Sequence, residues 1–170
     1  DKLEADNLLD DTLIIFTSDN GFNCGHHGVW GKGNGTFPVN MYDSSVKVPF
    51  IVSQPGKIPE GAVCKAMCSG YDFMLEYLGL ECPDDPTLPG KSFCRQMMGN
   101  STEEDAQVVV FDEYGPCRMI CDGKYKLVWR YPFGPNECYD LVNDPKETKN
   151  LIDDPDSQEI IQKMKQNLEA

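Results

Sequence analysis

An α/β piece followed by a small antiparallel α+β unit is the fold class that this 170-residue sequence predicts. Three observations carry that expectation. Thr12 to Thr17 (TLIIFT) and Val48 to Ser53 (VPFIVS) are short, β-rich apolar runs without polar alternation, the pattern of strands buried on both faces. After Gly99 the texture changes to short strand-like runs at Val108 to Phe111, Arg118 to Cys121 and Tyr125 to Trp129. Finally, Ser157 to Leu168 carries Ile160, Ile161, Met164 and Leu168 at helical spacing.

Residues 1–10 resemble the tail of a helix, with Leu3, Leu8 and Leu9 apolar among charged neighbours, so the chain is expected to have lost its start. TLIIFT stops at Ser18-Asp19-Asn20-Gly21, a loop signal. A glycine-dense stretch follows to Pro38, and long loops of that kind in compact domains usually carry function or disorder. Asn40 to Ser45 predicts a helical turn, and Pro55-Gly56 ends the VPFIVS strand. Tyr71 to Leu80 predicts a helix with Phe73, Leu75, Tyr77 and Leu78 turned inward. Cys82 to Gly90 is a proline-rich loop, Ser92 to Met98 a short helix, and Asn100 to Asp105 a polar linker. Asp122-Gly123 is a hairpin turn between two of the later strands. Glu137 to Leu141 predicts one further strand, and Asp144-Pro145 a turn.

Composition narrows the function. Forty per cent hydrophobic and 10% aromatic residues suffice for a buried core, so disorder of the whole chain is excluded. A net charge of −13 argues against nucleic acid and against anionic membrane surfaces, where affinity comes from cations. No apolar run approaches the ~20 residues of a membrane helix. The opening residues, DKLEADNLLDD, are charged and show no signal peptide, and localisation stays open between cytoplasm, periplasm and secretion. Asn34-Gly35-Thr36 and Asn100-Ser101-Thr102 match the glycosylation acceptor pattern. The 8 cysteines are irregularly spaced and read either as reduced thiols or as one or two disulfides. Cys24 with His26 and His27 could alternatively join a cysteine pair around a structural zinc.

The chemistry concentrates in residues 17–49. Ligand sites of α/β sheets form beyond the carboxyl ends of strands, where Asp19 and Asn20 stand. A carboxylate beside an amide oxygen makes a pair of hard ligands suited to calcium or magnesium. Lys32, flanked by Gly31 and Gly33, is a point cation with little neighbouring bulk, open to a tetrahedral oxyanion. A histidine such as His27 can donate a proton to a leaving group. Each signal alone also has a plain structural reading as turn, solvated lysine or packed histidine. Together they suggest a metal-assisted oxyanion-ester site, with the cation creating a locally positive pocket in an acidic domain.

The string from Asp11 to Gly21 (DTLIIFTSDNG) resembles the metal-binding strand of the type I sulfatases, within the alkaline phosphatase superfamily. The resemblance continues through Gly25-His26-His27-Gly28-Val29-Trp30-Gly31-Lys32, Met41-Tyr42-Asp43, Val46 to Val52 and Pro55-Gly56. Asp122 to Leu127 resembles the family's closing hairpin, and Tyr139-Asp140-Leu141, Asp144-Pro145, Glu147 and Asn150-Leu151 its C-terminal signature. The resemblance implies the C-terminal part of an alkaline-phosphatase-like mixed sheet with flanking helices, followed by a small antiparallel α+β subdomain. Residues 1–99 would complete the catalytic domain, and residues 100–170 would form the subdomain. It implies calcium, or magnesium, bound by Asp19 and Asn20, and Lys32 on a sulfate oxygen. His27 would stand at the sulfate or leaving group. Tyr42, Asp43, Lys47 and Pro49 would frame the loop and strand.

The family's nucleophile is a formylglycine made from the Cys or Ser of a C/S-x-P-x-R motif, which this sequence lacks; Ser53-Gln54-Pro55-Gly56-Lys57 has lysine for arginine and occupies the strand-ending Pro-Gly. The resemblance therefore implies a fragment, inactive alone, that needs the N-terminal part of the same protein. In the complete enzyme a hydrated formylglycine oxygen would attack the sulfur of a sulfate monoester, a sulfated carbohydrate or a small aryl or alkyl sulfate. Three alternatives remain: a phosphate or phosphonate ester hydrolase of the same superfamily, a non-catalytic module stabilised by zinc on Cys and His, and an inactive sulfatase-like binding protein.

Overall fold

The computed structural model describes residues 2–72, 75–81, 90–99, 107–112 and 114–169. In chain order its elements are α1 (Lys2–Ala5), β1 (Ile14–Phe16), β2 (Asn23–Cys24), β3 (Trp30–Gly31), α2 (Asp43–Val46), β4 (Ile51–Ser53), α3 (Cys94–Met97), β5 (Val108–Phe111), β6 (Cys117–Cys121), β7 (Tyr125–Arg130), β8 (Glu137–Asp140) and α4 (Gln158–Glu169). Phe73, residues 82–89 of the proline-rich stretch and the linker expected at Asn100 to Asp105 lie outside the described residues. The chain divides into two compact units. One comprises Asp1–Asp19 and Pro49–Ala106, the other Asn20–Val48 and Gln107–Ala170.

In the first unit, β1 and β4 pair antiparallel, with Ile14 opposite Ser53 and Phe16 opposite Ile51. Gln54, buried just past β4, ties the pair to its flanks. Its amide donates to the Asp10 carbonyl (2.6 Å) and its oxygen accepts from the Tyr77 hydroxyl (2.5 Å). Phe50 meets Phe93 edge to face at 5.4 Å. Two expectations differ here. The strands are not buried on both faces, since Phe16 is 62% and Ile51 59% exposed. Their lack of alternation matches a strand covered on both sides, and within this unit the cover is incomplete. Among the described residues of 71–80, where a helix is expected, there is one 3₁₀ turn at Leu75–Leu78, ended by Gly79 at φ +73°.

In the second unit, β5 to β8 form one antiparallel sheet in sequential order. The Asp122-Gly123 turn works as expected. The Asp122 carboxylate accepts from the amides of Lys124 and Tyr125, and Gly123 takes φ +85°. Side chains alternate along β7, and both faces are covered. Leu127, with Ile120 and Cys138, packs under Ile161, Met164 and Leu168 of α4, the expected helix with the expected apolar stripe. Lys126 and Arg130 point to the other face and meet the segment 39–43. The Arg130 guanidinium donates to the Val39 carbonyl (2.8 Å) and pairs with Glu137 (3.1 Å). The loop expected over residues 21–38 is more structured than its glycine content suggests. It contains the short β2–β3 hairpin, with Asn23 opposite Gly31. Cys24, Cys64, Cys68, Cys117, Cys121 and Cys138 are thiols, and burial pushes the Cys117 and Cys138 thiols up to about 11. Among the described residues, no helix is long and apolar enough to cross a membrane.

Candidate functional site

Asn20, His27 and Lys32 all belong to the second unit, and Asp19 is the last residue of the first unit's opening segment. The loop carrying them is built on three buried polar side chains. Asn23 is wholly buried, and its amide donates to the Ser45 hydroxyl (2.6 Å) and the Gly31 carbonyl (3.2 Å). Its oxygen accepts from the Ser44 hydroxyl (2.5 Å). Ser45 in turn donates to Asn40 (2.6 Å), and the Asn40 amide donates to the Gly33 carbonyl (3.1 Å) and the Thr36 hydroxyl (3.0 Å). A continuous set of hydrogen bonds therefore runs from α2 to the backbone on both sides of Lys32. Buried amides so satisfied specify one loop geometry, because any rearrangement strands a polar group.

Two glycines serve that packing directly. A Cβ on Gly33 would lie 2.8 Å from the Asn40 carbonyl oxygen, and one on Gly21 would lie 2.2 Å from that of Ser44. The residue after Lys32 is thus glycine because backbone passes against it, a reason additional to leaving room for an oxyanion.

Lys32 reaches Asn20, its Nζ donating to Oδ1 at 3.0 Å. The sequence places these residues twelve apart, and the fold makes them neighbours. The Asn20 amide also donates to the Gly21 carbonyl (2.7 Å), which sets the orientation of its oxygen. The Asp19 carboxylate accepts from the Ser18 hydroxyl at 3.2 Å. Oxygen donors from a carboxylate and an amide suit calcium or magnesium, and Asn20 Oδ1 already faces a cation, the Lys32 ammonium. These donor types would fit a hard cation, which takes six to eight such oxygens. For a structural zinc the arrangement differs: among the described residues, no three His, Cys, Asp or Glu side chains gather around one point.

His27 takes left-handed backbone at φ +51° and lies flat on Tyr42, ring centroids 3.7 Å apart and planes 5° from parallel. Sequence reasoning treated Tyr42 and Asp43 only as framing residues. In the fold, Asp43 joins Glu147 in holding the fully buried Lys126 ammonium. Glu147 accepts at 2.7 Å, Asp43 accepts closely, and the Met41 carbonyl accepts at 3.1 Å. Glu147 also accepts from the Asp43 amide at 2.8 Å. The one sequence signal for this centre is a lysine within a mostly apolar strand, between Tyr125 and Leu127.

Residues 25–170 match the family model for the C-terminal region of N-sulphoglucosamine sulphohydrolase. The chain belongs to the sulfatase family. Among curated proteins, this sulfatase-family chain is 30% identical over 161 residues to choline-sulfatase of Rhizobium meliloti (strain 1021), covering 91% of this chain and 30% of the relative. Among solved structures it is similar to BT4656 in complex with its substrate D-glucosamine-2-N,6-O-disulfate, with a TM-score of 0.81 and 27% identity over 98% of this chain and 35% of that chain. It is also similar to the phosphonate monoester hydrolase of Agrobacterium radiobacter, with a TM-score of 0.77 and 28% identity over 98% and 36%. The sulfatase-family chain thus spans about a third of the length of the curated relatives it matches. Its α/β class is that of the alkaline-phosphatase-like sulfatases.

Proposed function

We propose that the chain supplies the C-terminal part of the active site of an enzyme that hydrolyses sulfate monoesters. The observation that carries this reading is the Lys32 ammonium 3.0 Å from Asn20 Oδ1, on a loop locked by buried hydrogen bonds, in a sulfatase-family chain. Lys32 would hold a sulfate oxygen and offset the charge that builds there in the transition state. Asp19 and Asn20 would ligate calcium, or magnesium, which when bound polarises the ester's oxygens as a Lewis acid. His27 would present its imidazole edge to the sulfate or the leaving oxygen. The nucleophile, expected to be a formylglycine, and the remaining metal ligands would come from polypeptide outside this sequence. The 170-residue chain alone would therefore be inactive. Sulfated carbohydrate is the favoured substrate class, supported by the disulfated glucosamine bound to a similar protein.

The similarity to a phosphonate monoester hydrolase favours a second reading, in which the same site takes phosphonate esters. Turnover of an aryl sulfate and an aryl phosphonate by the full-length polypeptide separates the two. The sulfate is expected to turn over faster, with no turnover by the 170-residue chain. Preference for the phosphonate would reverse the assignment. The metal assignment has its own test. Asp19→Ala in the full-length polypeptide is expected to weaken calcium binding in a calorimetric titration at least tenfold, because a carboxylate supplies both charge and ligand. Unchanged calcium affinity would remove Asp19 from the ligand set.

A further inference from the structure

His27 is exposed, and an exposed side chain normally exchanges rotamers on the picosecond to nanosecond scale. Here its ring lies parallel to that of Tyr42 at 3.7 Å. Such a stack sets the plane of the imidazole and leaves its edge, where both ring nitrogens lie, uncovered by Tyr42.

Tyr42 is itself held on three sides. Before it, the Met41 carbonyl accepts from Lys126 Nζ. After it, the Asp43 carboxylate pairs with Lys126, and the Asp43 amide donates to Glu147 at 2.8 Å. At its far end, the Tyr42 ring lies against that of Tyr139, centroids 6.3 Å apart, and Tyr139 is only 5% exposed; burial raises both phenols above their usual range. Lys126 belongs to β7 and Tyr139 to β8, so the position of the Tyr42 ring is referred to the rigid C-terminal sheet.

We propose that Tyr42 is a positioning residue: its ring, pinned to the C-terminal sheet through the Lys126–Asp43–Glu147 centre and Tyr139, fixes the plane in which His27 meets the ester. The proposal rests on the reading above that His27 contacts the sulfate or leaving group. It goes beyond that reading by giving Tyr42 a part in the reaction and the C-terminal sheet a role in catalytic geometry. An aromatic ring, and not the hydroxyl, is the element that acts on His27.

The experiment uses the full-length polypeptide with histidine labelled for NMR, and four proteins: wild type, Tyr42→Leu, Tyr42→Phe and His27→Ala. His27→Ala identifies the His27 resonances by their loss. In Tyr42→Leu, the His27 ring protons are expected to lose the upfield shift imposed by the stacked ring, and kcat is expected to fall about tenfold with KM little changed. Tyr42→Phe keeps the ring, so it is expected to retain both the shifted resonances and a kcat within about twofold of wild type. That rescue separates positioning from a loss of folding. Wild-type kcat in Tyr42→Leu beside a slowed His27→Ala overturns the proposal. So do His27 resonances that match between wild type and Tyr42→Leu. Wild-type kcat in His27→Ala instead removes His27 from the reaction, and the role of Tyr42 falls with it.

Discussion

Lys32→Ala in the full-length polypeptide is expected to lower kcat/KM for a sulfate monoester by about 10²–10³, the usual effect of deleting one preorganised electrostatic contact. The chain carries −13, and an anionic ester group approaching such a surface needs a local cation. The Lys32 ammonium is held at 3.0 Å from Asn20 Oδ1, on backbone that cannot shift without breaking the Asn23–Ser45–Asn40 hydrogen bonds. A cation already in place costs no reorganisation when charge develops, which is why its removal acts on the transition state. Lys32→Arg is not a neutral control, since the planar guanidinium would replace a compact charge between two glycines, one of them packed against Asn40. The measurement is steady-state kinetics with one aryl sulfate at saturating calcium, and wild-type kcat/KM in Lys32→Ala would remove the lysine from the site.

The second large effect is on stability. Lys126→Met is expected to destabilise the fold by about 3–5 kcal/mol, read as a lower denaturant midpoint at unchanged slope. Lys126 is fully buried, and its ammonium is shared by Asp43, Glu147 and the Met41 carbonyl. Methionine keeps the length and apolar stem of lysine but leaves the Glu147 carboxylate, itself only 4% exposed, without its counter-charge. Glu147 would retain only the Asp43 amide among its bonds described above. The triple change of Lys126, Asp43 and Glu147 to apolar residues is expected to recover much of the loss, because the cost lies in the stranded charge more than in the absent pair. A midpoint unchanged in Lys126→Met would mean that the centre contributes little to folding.

The two effects are linked in space. The buried centre holds the backbone on each side of Tyr42, and Tyr42 carries His27. A lesion at Lys126 is therefore expected to reach the candidate site through the fold, whereas Lys32→Ala acts on chemistry with little change in stability, being exposed.

Much of this was legible in the sequence, and the pattern of what was not is instructive. The sheet of β5 to β8, its Asp122-Gly123 turn and helix α4 each rest on contiguous residues: short strand-like runs, a turn dipeptide, and Ile161, Met164 and Leu168 at helical spacing. Asp19 and Asn20 follow an apolar strand, and Lys32 lies between glycines; both patterns are local. The 3₁₀ turn at Leu75–Leu78 and the exposed faces of β1 and β4 were not legible, because periodicity reports which residues could be buried, not what is present to cover them.

Local pattern by itself determined where the strands of the C-terminal sheet, its hairpin turn and the terminal helix lie, and it nominated a few side chains as candidates for an oxyanion site. Tertiary structure alone decided that Lys126 would find Asp43, 83 residues away, and Glu147, 21 away, that His27 would lie on Tyr42, and that Lys32 would turn to Asn20. The physical reason is range. Backbone propensity and apolar spacing act over a few neighbours, whereas a buried charge or a stacked ring gains its partner only when distant segments are brought against the same sheet.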